Sequence, residues 1–117
     1  ALTNWIGENY DKKLLENQRV FIKPNMGYPK PAPFTTSIDI IVSTIEILAN
    51  ADAKEIVIAE GSTSKSSAID NFRITGLVEA LEEYDVSYID IDTYENSEVV
   101  LNTGVKHYLP SICNKLI

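Results

Sequence analysis

Short apolar runs alternate with helical stripes along most of this chain, and this alternation constrains the fold more than any other feature. One stripe has apolar residues three and four positions apart, as in a helix with one buried face; its members are Ile38, Ile41, Val42, Ile45, Leu48 and Ala49. This spacing predicts a helix over residues 37–50. Thr36 and Asp39 have the spacing of a capping box, which predicts that Thr36 caps this helix.

The short runs on either side of the helices are rich in β-branched residues and predict buried strands. They are Arg19–Lys23, Glu55–Ala59 and Val86–Ile91. A second helical segment, residues 66–84 with a break at Thr75–Gly76, joins the last two runs. Strands joined by crossover helices form parallel sheets with right-handed connections and helices on both faces. We therefore predict an α/β fold, a three-layer Rossmann-like domain with a mainly parallel sheet.

The two ends of the chain add further predicted elements to this single domain of 117 residues. Residues 2–15 have the pattern of a helix. Val99–Leu101 and Val105–Tyr108 flank a turn signal and predict a C-terminal hairpin. A last helix is predicted to start at Pro110, with Cys113 on its apolar side. The chain has no initial methionine and stops in an apolar run, so we expect a fragment of a longer protein.

Charge and composition exclude several classes of partner. The chain has 17 acidic and 10 basic residues, a net charge of −7, so it is predicted to bind neither nucleic acid nor anionic lipid. It has no signal peptide and no run of about 20 apolar residues that would span a membrane. Its one cysteine can neither form an internal disulfide nor hold an iron–sulfur cluster alone. We therefore expect a cytoplasmic protein.

Polar residues follow the first two predicted strands, at the sheet edge where parallel sheets bind ligands. Helix starts and hydroxyl groups offer hydrogen-bond donors to an anion, and a lysine adds positive charge. The candidate ligand-binding residues are Lys23, Asn25, Thr35, Thr36, Glu60, Gly61 and Ser62. A purely structural interpretation is also open. In that interpretation Thr36 caps its helix, Asn25 stabilises a turn, and Lys23 pairs with Glu60.

Other candidate sites are weaker. Neither glycine-rich nucleotide motif is present. The run Gly61–Ser67 has the composition of an anion-binding nest, but also of a flexible loop. Asp90 and Asp92 could join Glu60 around a hard cation, although a solvated strand end is the better interpretation, and we assign no metal site. His107 has no nearby Ser, Cys or His partner and is interpreted as a surface residue.

Three short motifs occur in order along the chain: V-F-I-K-P-N (Val20–Asn25), P-x-T-T (Pro33–Thr36) and I-V-I-A-E-G (Ile56–Gly61). With Phe72 and Gly76 before the third predicted strand, they resemble the uncharacterised proteins grouped as domain of unknown function 362. The resemblance covers the chain from about Arg19 onward. One departure is Asp52, where the family usually has glycine.

The resemblance implies an α/β protein that is often fused to a ferredoxin-like module with two four-iron clusters. The cluster cysteines and a later Lys-Thr-His-type motif of the family are missing here, so no cofactor is expected in this segment. Iron–sulfur clusters are expected only in a longer protein.

Two functions follow. The first is binding of a small anionic molecule at the carboxyl ends of the strands, as part of a larger, redox-linked protein. The alternative is a non-catalytic scaffold or interaction domain attached to an electron-transfer module. Sequence gives neither a substrate nor an oligomeric state.

Overall fold

The computed structural model describes residues 12–111. The predicted N-terminal helix lies outside the described residues except at its end, where Lys12–Leu14 forms one 3-10 turn. The predicted C-terminal helix, with Cys113, lies outside them as well. Pro110, predicted to start that helix, is instead the last residue of a strand. An edge strand tolerates proline because the N–H group that proline lacks is not needed for pairing at the edge.

A three-stranded parallel sheet forms the centre of the fold. Its strands are β1 (Arg19–Ile22), β2 (Glu55–Glu60) and β3 (Val86–Asp90), in the order β1-β2-β3. Val20 pairs with Ile56, and Ile56 in turn pairs with Val86. All of β2 from Ile56 to Glu60 is buried, which explains the unbroken apolar run in its sequence. The predicted parallel sheet is confirmed.

The first crossover helix, α1, runs from Ile38 to Asn50 and buries Ile41, Ile45 and Leu48. The predicted helix is therefore confirmed, but its predicted cap is wrong. Ser37 precedes the helix and makes no capping bond with its side chain. The Thr36 hydroxyl instead accepts a hydrogen bond of 2.9 Å from the backbone N–H of Asn25.

The second crossover consists of two short helices, α2 (Ala68–Ile74) and α3 (Leu77–Ala80). Ser67 caps α2, because its hydroxyl accepts a hydrogen bond of 3.1 Å from the N–H of Asp70. Gly76 separates the helices with a φ of 83°, in the left-handed region that glycine adopts at no steric cost. The predicted break at Thr75–Gly76 is confirmed.

The described helices pack on one face of the sheet. Side chains of α1, α2 and α3 form a single core cluster with Ile56 and Ile58 of β2. Val57 and Ala59, which point to the opposite face, belong to a smaller cluster with Ile89. This arrangement fits the strand order, because two right-handed crossovers in the same direction place both connections on one side. The mixed α/β fold is thus shown, whereas the described helices do not form layers on both faces.

A two-stranded antiparallel hairpin follows the sheet. It consists of β4 (Asn96–Val100) and β5 (Lys106–Pro110), with Val99 opposite His107. The predicted hairpin is confirmed, and its strands extend further from the turn than predicted because polar residues such as Asn96 also pair. His107 is exposed, as predicted.

No helix in the described part of the chain has the length and apolar character needed to cross a membrane.

Candidate functional site

Two loops meet at the carboxyl edge of the sheet. The first loop, residues 23–37, follows β1, and the second loop, residues 61–67, follows β2. The backbone N–H and the hydroxyl of Thr63 both donate to the carbonyl of Gly27, each at 3.0 Å. These bonds confirm that the two predicted loops lie side by side, as expected for connections leaving neighbouring parallel strands.

Glu60 joins the two loops from inside the protein. Its side chain is only 8% exposed and forms an ion pair of 2.6 Å with the ammonium group of Lys23. Its carboxylate also accepts hydrogen bonds from the N–H of Gly61 at 2.9 Å and from the N–H of Met26 at 3.3 Å. Of the two interpretations of Lys23, the structure shows the one in which it pairs with Glu60. The charge of Lys23 is therefore already compensated.

Thr35, Thr36 and Asn25 shape the first loop. Thr36 and Asn25 are linked twice, since the N–H of Thr36 also donates to the carbonyl of Asn25 at 2.8 Å. The Thr35 hydroxyl is buried and donates to the carbonyl of Lys30 at 2.7 Å. Both threonines line a shallow depression beside the start of α1. Their hydroxyls thus hold the loop in its conformation.

Gly61 and Ser62 pack against the loop that follows β3. The N–H of Ser62 donates to the Asp92 carboxylate at 2.8 Å. A Cβ atom at Gly61 would lie 3.0 Å from a carboxylate oxygen of Asp92, and one at Gly27 would lie 3.0 Å from the carbonyl oxygen of Gly61. A larger residue at either position would have to displace its neighbour by a few tenths of an ångström, so the close approach of the loops favours glycine there.

Asp90 is buried, so the interpretation of a solvated strand end is wrong for this residue. Its carboxylate accepts hydrogen bonds of 3.0 Å from the N–H of Ala68, at the start of α2, and from the N–H of Asp92. Asp90 thus fixes the position of α2 relative to β3. Among the residues that the structure describes, no three acidic, histidine or cysteine side chains are placed to hold a metal ion.

The second loop contains a chain of hydroxyl groups that the sequence did not predict. The hydroxyls of Ser62 and Ser64 are 3.1 Å apart, and those of Ser64 and Ser66 are 2.6 Å apart. Ser66 then donates to the side-chain oxygen of Asn71, which is fully buried in α2. This network orders a segment with the composition of a flexible loop. A single asparagine in a helical pattern gives no signal of such a role.

A depression between the two loops contains residues that the sequence analysis missed. It has a volume of about 320 Å³, opens to solvent and is lined by Asn25, Tyr28, Lys30, Phe34 and Thr63. The ammonium nitrogen of Lys30 lies 5.1 Å from the ring centroid of Phe34 and 5.9 Å from that of Tyr28. Of the seven predicted ligand-binding residues, only Asn25 lines this depression. The one signal in sequence was two aromatic residues within a proline-rich loop.

The electrostatic surroundings of Lys30 differ from those of Lys23. No carboxylate of the described residues lies within 4.0 Å of the Lys30 ammonium group. Two ring faces, which carry partial negative charge, are its neighbours instead. The side-chain amide of Asn25 has no hydrogen-bond partner in the described part of the chain and is exposed. The depression therefore combines a positive charge with an amide whose donors are accessible.

The family described as a domain of unknown function (DUF362) matches the chain over residues 20–114. The chain belongs to the DUF362 family. This finding confirms the resemblance seen in the three sequence motifs, and the matched range includes both loops of the DUF362 domain and the depression between them. No curated protein and no solved structure matches the chain.

Proposed function

We propose that this DUF362 domain binds a small molecule through an anionic group, in the depression between its first and second loops. The observation that carries the proposal is the position of Lys30, whose ammonium group lines a concave site and has no described carboxylate neighbour. Four other described basic residues have a carboxylate within 4.0 Å, namely Arg19, Lys23, Arg73 and Lys106. Lys54 and Lys65, like Lys30, have none among the described residues, but of these three only Lys30 lines the depression. A lysine that faces a pocket and has no carboxylate neighbour can compensate the charge of an anionic ligand.

The donors for the anion come from both sides of the depression. Lys30 contributes an ammonium group with three N–H donors, and Asn25 contributes a side-chain amide. The other predicted residues support this site indirectly: the bonds of Glu60 join the first loop to the second, and the bonds of Thr35 and Thr36 hold the first loop in its own conformation. This division separates the residues that contact the ligand from those that shape the loop.

The proposal extends to the setting of the domain. We propose that it is the ligand-binding part of a larger protein in the cytoplasm, with a redox link through an attached iron–sulfur module, as the sequence resemblance implies. We also propose the three-layer Rossmann-like arrangement. Its support is that Val57 and Ala59 have no exposed surface although they face away from the described helices.

A different observation favours the alternative function, a non-catalytic interaction domain. The hairpin exposes several apolar side chains around its turn, namely Val100, Leu101, Val105 and Tyr108. A two-stranded hairpin is marginally stable alone, so an additional contact would stabilise it. A domain whose function depends on this hairpin would not need Lys30.

The test is a titration of the protein with acetate and with inorganic phosphate, followed by NMR chemical shifts. We expect saturable binding in about the millimolar range, the scale for ligands of so few atoms. Lys30→Met should weaken binding about tenfold or more, because it removes the compensating charge and leaves the side-chain length similar.

Lys65→Met is the matched control. Lys65 is an exposed lysine on the second loop that does not line the depression, so its loss removes the same charge from the same sheet edge. We expect affinity to change less than twofold. Equal effects of the two substitutions would show that only net charge matters, and the proposed site would be refuted.

A further inference from the structure

Two exposed aromatic rings flank the depression. The Tyr28 side chain is 45% exposed and that of Phe34 is 64% exposed, although both are large apolar groups. Single exposed aromatic residues are common on protein surfaces, but here two of them line the same concave site beside one ammonium group. They therefore provide an apolar surface beside the position of the proposed anion.

Hydrogen bonds hold the backbone of the first loop beside both aromatic residues before any ligand arrives. The N–H of Phe34 donates to the carbonyl of Pro31 at 3.2 Å, and the buried Thr35 hydroxyl next to it bonds the carbonyl of Lys30. On the other side of the loop, Gly27 accepts two hydrogen bonds from Thr63. A site that is already ordered loses less conformational entropy on binding.

We infer that the ligand of this site is an aromatic carboxylic acid with a single ring system, an inference that rests on the proposed function. The carboxylate would meet the ammonium group of Lys30 and the amide of Asn25. The planar ring would pack against Phe34 and Tyr28. The volume of about 320 Å³ is at the lower end of the range for small-molecule sites, which suits one ring system better than a dinucleotide.

The electrostatics of the rings explain why an aromatic ligand is favoured over a saturated one. A saturated ring of similar size buries a similar apolar area, so the hydrophobic contribution is nearly equal. Only an aromatic ring adds the edge-to-face or offset contacts with Phe34 and Tyr28. From these contacts we expect a preference of about three- to tenfold for the aromatic acid.

The experiment compares the dissociation constants of benzoate, cyclohexanecarboxylate and benzyl alcohol, measured by NMR titration of the protein. Benzoate should bind about three- to tenfold more tightly than cyclohexanecarboxylate. Phe34→Leu should lower this ratio by about half or more while cyclohexanecarboxylate still binds, because leucine keeps the apolar contact without the ring and only Tyr28 remains as an aromatic neighbour. Phe34 is exposed, and an unchanged amide spectrum outside the first loop will show that the variant is folded.

Tyr94→Leu is the matched control, since Tyr94 is a partly exposed aromatic residue outside the depression; the ratio should stay as in the unmodified protein. Equal affinities for the two acids, or a preference left unchanged in Phe34→Leu, would overturn the inference and leave anion binding intact. Benzyl alcohol binding as tightly as benzoate would overturn the proposed function instead. Binding of none of the three compounds would overturn both.

Discussion

Replacing Glu60 by alanine should destabilise the protein strongly, although Glu60 was predicted to bind a ligand. Its buried carboxylate bonds two backbone N–H groups, one in each loop, and pairs with Lys23. In Glu60→Ala these N–H groups lose their acceptor at the point where the loops meet. The effect should therefore appear in the free energy of unfolding without any ligand present.

The three interactions of Glu60 differ in strength. The bond from Gly61 at 2.9 Å is short, and bonds to a charged acceptor contribute about 1.5–3 kcal/mol. The bond from Met26 at 3.3 Å is longer and weaker. The Lys23 side chain is 59% exposed, so water screens its ion pair and the contribution is at most about 1 kcal/mol. We expect a loss of about 2–4 kcal/mol for Glu60→Ala, and about 1 kcal/mol or less for Lys23→Ala.

Urea denaturation followed by far-UV circular dichroism measures both losses, provided that the slope with urea concentration is unchanged. Glu60→Gln is the matched control, because it keeps an acceptor oxygen and the side-chain volume but removes the charge. Its loss should lie between those of the other two variants, since only one of the two N–H groups keeps an acceptor oxygen, and hydrogen bonds to a neutral acceptor are about half as strong. A Lys23→Ala variant as unstable as Glu60→Ala would refute this reasoning and make the ion pair the main connection between the loops.

Three further changes test the fold. Ile45→Ala should cost about 2–5 kcal/mol in urea denaturation, because it empties a fully buried position of α1; a smaller loss would mean that the core repacks. Thr36→Ala should cost about 1 kcal/mol through the lost bond to Asn25, with the helical circular dichroism signal unchanged because Thr36 does not cap α1. Burial raises the pKa of the Tyr88 hydroxyl above its ordinary 10.0, so the unfolded chain loses this proton first and stability should fall as pH rises above 10.0. Tyr88→Phe should lessen that fall whereas Tyr94→Phe should not, as urea midpoints on either side of pH 10.0 would show.

The parallel sheet could be predicted from sequence because its signals are local. The run Ile56–Ala59 is continuously apolar because the central strand is buried, and the stripe ending at Leu48 has a clear helical period. Each element could be recognised within its own residues. Because strands and helices alternate along the chain, only a few topologies were possible.

The predicted cap at Thr36 is wrong because the spacing with Asp39 considers only hydrogen bonds within the helix start. A hydroxyl group can also bond to other parts of the chain. The folded chain brings the N–H of Asn25 to the same oxygen, and that bond prevails. The role of Asp90 could not be predicted for the same reason. Its carboxylate accepts a hydrogen bond from the N–H of Ala68, which belongs to another element. Local spacing cannot show contacts that form only when separate elements pack together.

The candidate site could be located at the sheet edge, but its contacts could not be predicted. Lys23 was open to two interpretations, and its ion pair with Glu60 depends on the packing of two separate strands. Lys30 gave no signal because neither a helical nor a strand period applies within a proline-rich loop, and the two aromatic residues there did not by themselves indicate a site. Their convergence on one depression depends on the conformation of that loop, which tertiary hydrogen bonds determine.

The most direct measurement of the proposed site is a map of amide chemical-shift changes on the 15N-labelled protein during titration with benzoate. We expect saturable changes at the amides of Tyr28, Lys30, Phe34 and Thr63, which line the depression. In Lys30→Met the same changes should need about tenfold more benzoate or more. Changes centred on Lys23 and the serine-rich second loop, with Lys30 unaffected, would contradict the proposed site.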